Sequence, residues 1–241
     1  MKIHAYIIAW NEERILPFTL DHYSQFCEKI YVYDNMSTDG SDEIYKKYDK
    51  VIVKKWQTPE KKYNQSIVDY DIKSNIYKQS RKYGVDWVIV CDCDEFLYHE
   101  NLLEKLNEYK EQGITMPKID GHDMFSETFP EYDGKLLTDK VKIGSKTYDV
   151  MCKNIIFNPI LDIKYSFGSH SVHAPNAKFS ENAELKLLHY KFLGKEYINW
   201  RYNNLSKQLS DFNKKNRLGD HWNRPPMKYM DEMKEMQYKV I

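Results

Sequence analysis

The 241-residue chain has no excess charge of either sign: Lys and Arg number 36, as do Asp and Glu. A formal net charge of zero gives no electrostatic reason to expect a nucleic-acid partner. The sequence also lacks any apolar run near the roughly 20 residues that a membrane-crossing helix needs, so no transmembrane segment is expected and peripheral membrane contact stays open. The apolar opening, residues 1–10, passes straight into polar Asn11, Glu12 and Glu13, and so reads as a first strand rather than a signal peptide. The cysteines Cys27, Cys91, Cys93 and Cys152 form no disulfide framework, and no second Cys/His pair answers Cys91-x-Cys93 with zinc spacing. Buried thiols in a reducing cytoplasm are expected, with the inner membrane face as the alternative setting there. There is no internal repeat and no low-complexity linker, so residues 1–241 read as a single domain that buries roughly 70–75% of its unfolded surface.

Strand and helix signals alternate through the first half. Residues 2–10 are apolar on both faces, as in a covered strand, and residues 12–27 carry a helical pattern with Pro17 near its start. A strand at 29–34, a turn at 35–40, a short helix from Ser41 as N-cap and a strand at 51–56 follow. A helix over 64–83, stopped by Gly84, leads into an apolar strand from Trp87, and a helix over 102–112 is closed by Gly113. This order favours an α/β fold with a mostly parallel central sheet and flanking helices, whose ligand crevice lies beyond the carboxyl ends of the strands. Residues 114–165 read as strands and loops, and the stretch from Lys195 as helical with a break at 223–226. The 20 tyrosines are too many to interpret singly.

The apolar run from Trp87 ends in Asp92-Cys93-Asp94. In an extended strand, residues two apart share a face, so both carboxylates are expected to converge on one point. A divalent cation, Mn²⁺ or Mg²⁺, would keep both ionised and reach its remaining coordination through water and phosphate. The competing reading is that the aspartates cap the next helix. The second strand ends in Asp34 and runs into an Asn/Ser/Thr/Asp/Gly turn, where a carboxylate could read a base or ribose.

Asn11-Glu12-Glu13, Asp34 to Ser41 and Asp92-Cys93-Asp94, in that order and spacing, resemble the family-two glycosyltransferases with the GT-A fold. The resemblance covers about residues 3–97. It implies a Rossmann-like nucleotide-sugar-binding half, residues 1–113, and an acceptor-binding half, residues 114–241. Ala9, Asn11 and Glu12 would border the nucleotide and Asp34 would contact the base. Asp92 and Asp94 would hold the ribose or the metal, with Asp94 the direct ligand. The implied reaction is inverting transfer from a nucleotide sugar, UDP-sugar favoured, to a hydroxyl of a glycan or glycolipid. Asp94-Glu95-Phe96 with a later His189-Tyr190 looks closest to the small cell-surface polysaccharide branch. The chain departs from the usual Pro-x-Tyr-Asn-Glu opening, with Ile8-Ala9-Trp10-Asn11-Glu12, and Asn35 stands where a second aspartate is usual.

Inversion requires a carboxylate to take the acceptor proton. Among Asp120, Asp123, Glu127 and Glu131, the pair Asp123 and Glu127 ranks first because it flanks Phe125. The resemblance also implies a late histidine as third metal ligand, His189 ahead of His170, and an imidazole ligand favours manganese. If His189 meets the aspartates, residues 167–195 fold back as a lid. Two alternatives stay open: a non-catalytic carbohydrate-binding module, and a sugar nucleotidyltransferase. The second is disfavoured because no glycine-rich phosphate loop follows the first strand.

Overall fold

A computed structural model describes residues 1–146, 153–223, 231 and 234–241. Cys152 and residues 224–226 of the expected break lie outside them. Strand β1 (Ile3–Ala9) is buried at every position, as an apolar segment covered on both faces must be. Helix α1 (Leu16–Ser24), β2 (Lys29–Asp34), α2 (Ser41–Tyr45) and β3 (Val51–Lys55) follow. Strand β4 (Trp87–Asp92) pairs on the other side of β1, giving the parallel order β3-β2-β1-β4. All four strands therefore point their carboxyl ends the same way.

The helix expected over 64–83 is divided into a π-helical segment, Ile67–Lys73, and a 3-10 segment, Ile76–Tyr83. The Ser74 amide and hydroxyl both donate to the Asp69 carbonyl five residues back, at 3.2 and 2.6 Å, which widens the turn and ends it. Gly84 then stops the 3-10 segment at φ +61°, a left-handed conformation that glycine adopts without steric cost.

Strand β4 ends at Asp92, and Cys93-Asp94 is a turn into β5 (Glu95–Tyr98). The two aspartates therefore do not share one strand face: a tight turn, not pleat alternation, carries the second one. Beyond it run α3 (Leu102–Glu111), β6 (Ile119–Ser126), α4 (Leu137–Lys140), β7 (Ile143–Lys146) and β8 (Ile156–Phe157). The short pair β9 (Lys164–Tyr165) and β10 (Val172–His173) precedes β11 (Leu185–Leu193). Then come α5 (Lys195–Gln208), α6 (Asp211–Lys215) and β12 (Tyr238–Lys239). Strand β8 adds antiparallel to β4, and a second sheet has the order β12-β7-β6-β11-β5. The Cys93-Asp94 turn is thus the joint between the two sheets. One cluster of buried side chains, including Ile7, Phe18, Trp87, Phe96 and Tyr190, runs through both. Among the described residues, no helix is long and apolar enough to cross a membrane.

Candidate functional site

A cavity of about 570 Å³ opens at the carboxyl ends of β1 and β4. Its far wall is built from α5 and a 3-10 turn at Asp220–Asn223. Ala9, Glu12, Asp92, Asp94, Asp123 and His189 all line it.

Strand register assembles its centre. β11 runs antiparallel to β5 and parallel to β6, so His189 stands between Glu95 on one side and Asp123 on the other. His189 Nε2 lies 3.2 Å from Asp94 Oδ2, and His189 Nδ1 lies 3.0 Å from Asp123 Oδ1. The ring thus has a carboxylate on each nitrogen. Burial alone would lower the His189 pKa, but Asp94 and Asp123 raise it to about 9. Burial alone would raise the Asp94 carboxyl, yet Arg201 and His189 hold it well below the usual carboxylate range. At a pKa of about 9 the ring is protonated on both nitrogens at neutral pH, so it could share a divalent cation with Asp94 only by giving up its Nε2 proton, with Asp123 still fixing Nδ1. Among the described residues, no group of three or more His, Cys, Asp or Glu side chains is arranged to hold a metal. Asp94 and His189 alone would supply two protein donors, which fits Mg²⁺ or Mn²⁺ ions that complete their shell with water and phosphate.

Asp92 is differently placed. Lys73, at the end of the π-helical segment, reaches it at 2.9 Å, and Lys153 approaches at 3.8 Å while bonding buried Glu95 at 2.5 Å. Burial raises the Glu95 carboxyl, but Lys153 and Lys73 bring it down to about 2. Arg201 of α5 spans Glu12 and Asp94, with Nη2 3.1 Å from each. Burial raises Glu12 to about 8 against the pull of Arg201. The carboxylates at the strand ends are therefore compensated by protein cations that nothing in the D-x-D motif announces.

The 34–41 turn is built from within. Asn11, at φ 52°, donates its amide to Ser37 Oγ at 2.9 Å and accepts the Thr38 amide at 2.8 Å. Asn11 thus braces the turn and is not among the cavity-lining residues. Asp34, expected at the base, is fully buried: it accepts from the Ser37 amide at 2.7 Å and the Tyr45 hydroxyl at 2.8 Å, and pairs with Lys55 at 3.1 Å. Its neighbour Asn35 lines the cavity in its place. Ser41 is the first residue of α2 rather than its cap, which is Gly40. Glu127 sits on the surface, its side chain 76% exposed and 3.1 Å from Lys234, away from the cavity lining. His170 lines the cavity but is exposed, and its ring packs against Gly168. The 167–170 loop is held by Asp69, which accepts from the Gly168 amide at 2.8 Å and the Ser169 hydroxyl at 2.9 Å. His189 comes to Asp94 on a paired interior strand, not on a folded-back lid.

Lys73, Lys153, Lys191 and Arg201 were not found by sequence reasoning. For Lys191 a signal existed: His189 and Lys191 are alternate polar residues in the second half of a mostly apolar strand, which marks one face turned to a polar cavity. For the other three, no spacing links them to the aspartates.

No curated protein matches the chain in sequence. Among solved structures, TarS of S. aureus superposes with a TM-score of 0.46 at 17% identity, over 95% of this chain and 44% of that one. The chain thus spans less than half the length of that protein. TarS 1–349 in complex with UDP-GlcNAc gives 0.47 at 14% identity, over 96% and 74%. Glucosyl-3-phosphoglycerate synthase from Mycobacterium tuberculosis, in complex with Mn²⁺, UDP and glucosyl-3-phosphoglycerate, gives 0.34 at 19% identity, over 50% and 44%. Residues 5–169, which carry every expected site residue except His170 and His189, match the model for glycosyl transferase family 2. With that match over more than half its length and a parallel-rich α/β fold, the chain belongs to this family of glycosyltransferases.

Proposed function

We propose that the protein is a metal-dependent, inverting glycosyltransferase that moves a sugar from a nucleoside diphosphate sugar, UDP favoured, to a hydroxyl of a surface glycan or glycolipid. The observation that carries this reading is the meeting of Asp94, His189 and Asp123 in the lining of a cavity in a family-two chain. Residues 1–113 form the donor half and 114–241 the acceptor half of one domain. The nucleotide lies against Ala9, Trp10, Glu12 and Asn35, over a turn whose shape Asn11 and Asp34 maintain. On this reading the enzyme works in the cytoplasm, at the inner membrane face, where its buried free thiols Cys27, Cys91 and Cys93 stay reduced.

Asp94 and His189 would hold the cation, Mn²⁺ ahead of Mg²⁺ because one donor is imidazole; when bound it would stabilise charge on the departing diphosphate. Asp92, held by Lys73, serves the ribose or an outer water. The acceptor oxygen attacks the anomeric carbon from the face opposite the diphosphate. As that bond forms, the bond from carbon to the β-phosphate oxygen breaks and its electron pair leaves with the diphosphate. The hydroxyl proton passes to Asp123. Asp123 Oδ1 faces His189 Nδ1, and Oδ2 has no protein partner among the described residues, so one oxygen is available to the acceptor. Glu127, on the surface with Lys234, has no place in this scheme.

The test is incubation with Mn²⁺ and a panel of nucleoside diphosphate sugars, following nucleoside diphosphate release by chromatography. Release from a UDP-sugar, lost with chelator, is expected. No release from any donor, with or without candidate glycans, counts against the reading.

A further inference from the structure

The cations of the cavity differ in one respect. Lys73 and Lys153 are matched to Asp92 and Glu95, and Arg201 to Glu12 and Asp94. Lys191 is half-buried, lines the same cavity and has no ion pair among the described residues. Its ammonium lies over two rings instead, 5.4 Å from the Phe192 centroid and 5.6 Å from that of Tyr202. Ring faces attract a cation but cannot replace a counter-ion, so a charge left in such a place is a receptor for one brought by a ligand.

Its position says which ligand. Lys191 follows His189 by two residues on β11, within a register shift between His189 and Phe192, and its ammonium faces the ring of Tyr202 on α5. That end of the cavity carries Phe192, Tyr202 and Trp222, which share a buried cluster with Phe125 and Ile198. Asp123 and Asp94 act on the ammonium from beyond ion-pair distance and Arg201 and Lys153 oppose them, so apolar ring faces beside a cation with no direct carboxylate contact suit a sugar ring that bears a negative group. At the donor end, Lys73 and Lys153 already sit beside Asp92 where a diphosphate would lie.

We propose that Lys191, flanked by Phe192 and Tyr202, binds a phosphate or carboxylate carried by the acceptor, so that the acceptor is an anionic glycan. This rests on the reading of the cavity as a donor and an acceptor end. It assigns to the enzyme a substrate class that balanced overall charge conceals.

The test uses the full chain with Mn²⁺ and saturating UDP, and ligand-observed NMR titration of three probes: glucose, glucose 6-phosphate and glucuronate. At least one anionic sugar should bind tenfold or more tightly than glucose, the weight of one charge-assisted hydrogen bond. Whichever of the two shows the preference identifies the anion. Lys191→Met should cut the preference to about twofold or less, while Lys191→Arg should keep most of it and so separates lost charge from lost folding. Equal or undetectable binding of charged and neutral probes overturns the proposal, as does a preference that survives in Lys191→Met. A preference seen only without UDP would assign the cation to the donor diphosphate and overturn it too. Failure of the protein to bind UDP, with the preference intact, would sink the donor reading and leave the anion site standing.

Discussion

His189 Nε2 stands 3.2 Å from Asp94 Oδ2, and the two residues reach each other through strand pairing, not through chain proximity. Asp94 occupies the turn that joins the two sheets, and its carbonyl accepts the Tyr190 amide at 2.7 Å, locking the turn to β11 beside the histidine. Any shift of β11 by one residue would turn His189 away and bring an apolar neighbour in its place. The cavity's chemistry therefore depends on the register of β11 as much as on the D-x-D motif.

Asp94→Asn should abolish metal-dependent transfer, by roughly a hundredfold or more, because a charged donor is lost at nearly constant volume. Arg201 keeps Glu12 as a partner, so the fold should hold. Electron paramagnetic resonance of bound Mn²⁺ reads the site without turnover. Unchanged Mn²⁺ affinity in the variant would remove Asp94 from the metal site.

Asp123 and Glu127 should separate cleanly. Asp123→Asn preserves an oxygen for His189 Nδ1 but cannot take a proton, so kcat should fall by roughly 10² to 10⁴ while UDP binding changes little. Glu127→Gln alters a surface pair with Lys234 and should leave kcat within about twofold. Rate measurements on both variants decide it: a larger loss at Glu127 would exclude Asp123 as the base.

The Lys73 and Asp92 pair should show strong energetic coupling. Lys73 is 3% exposed, and burial, which lowers its pKa, is outweighed by Asp92 and Asp69. Lys73→Met should destabilise by about 1–3 kcal/mol, less than for a fully buried pair because Asp92 is 34% exposed and keeps Lys153 at 3.8 Å, and adding Asp92→Asn should recover part of that loss. Urea unfolding of the two single variants and the double variant measures the coupling. Strict additivity would mean that the pair is not a working ion pair in solution.

Much of the first half was legible because its signals are local. The apolar runs of β1 and β4, the left-handed stop at Gly84 and the Asp34 to Gly40 turn each follow from a few neighbouring residues. The helix over 64–83 was only half legible, since the Ser74 side chain that bonds back to Asp69 splits it. The face shared by Asp92 and Asp94 was misread because nothing local distinguishes a strand continuing through Cys93 from one that turns there. The cation set was hidden for a different reason. Lys73, Lys153 and Arg201 come from three separate stretches of chain, and only tertiary packing brings them to the aspartates. Asp34 shows the converse: a residue type suited to base reading is consumed by its own turn, by Tyr45 and by Lys55.

The last prediction concerns acid stability and lies outside the cavity. His22 of α1 is buried, its Nε2 2.9 Å from the Leu97 carbonyl and its ring stacked on Phe96 at 4.7 Å. Nε2–H must therefore be the donor, and the ring is held neutral. Burial lowers its pKa from 6.5 to about 4, although the bond to Leu97 acts the other way. Below pH 6.5 the unfolded chain takes up a proton that the folded chain refuses until about pH 4, so this contribution is complete above 6.5 and is lost as pH falls towards 4. A shift of that size corresponds to about 3 kcal/mol. His22→Gln can keep an N–H for Leu97 but has nothing to titrate. Urea unfolding between pH 7 and 4 should accordingly fall less steeply for the variant than for the native chain. Parallel curves would mean that His22 is already charged in the folded protein or that its burial is not maintained in solution.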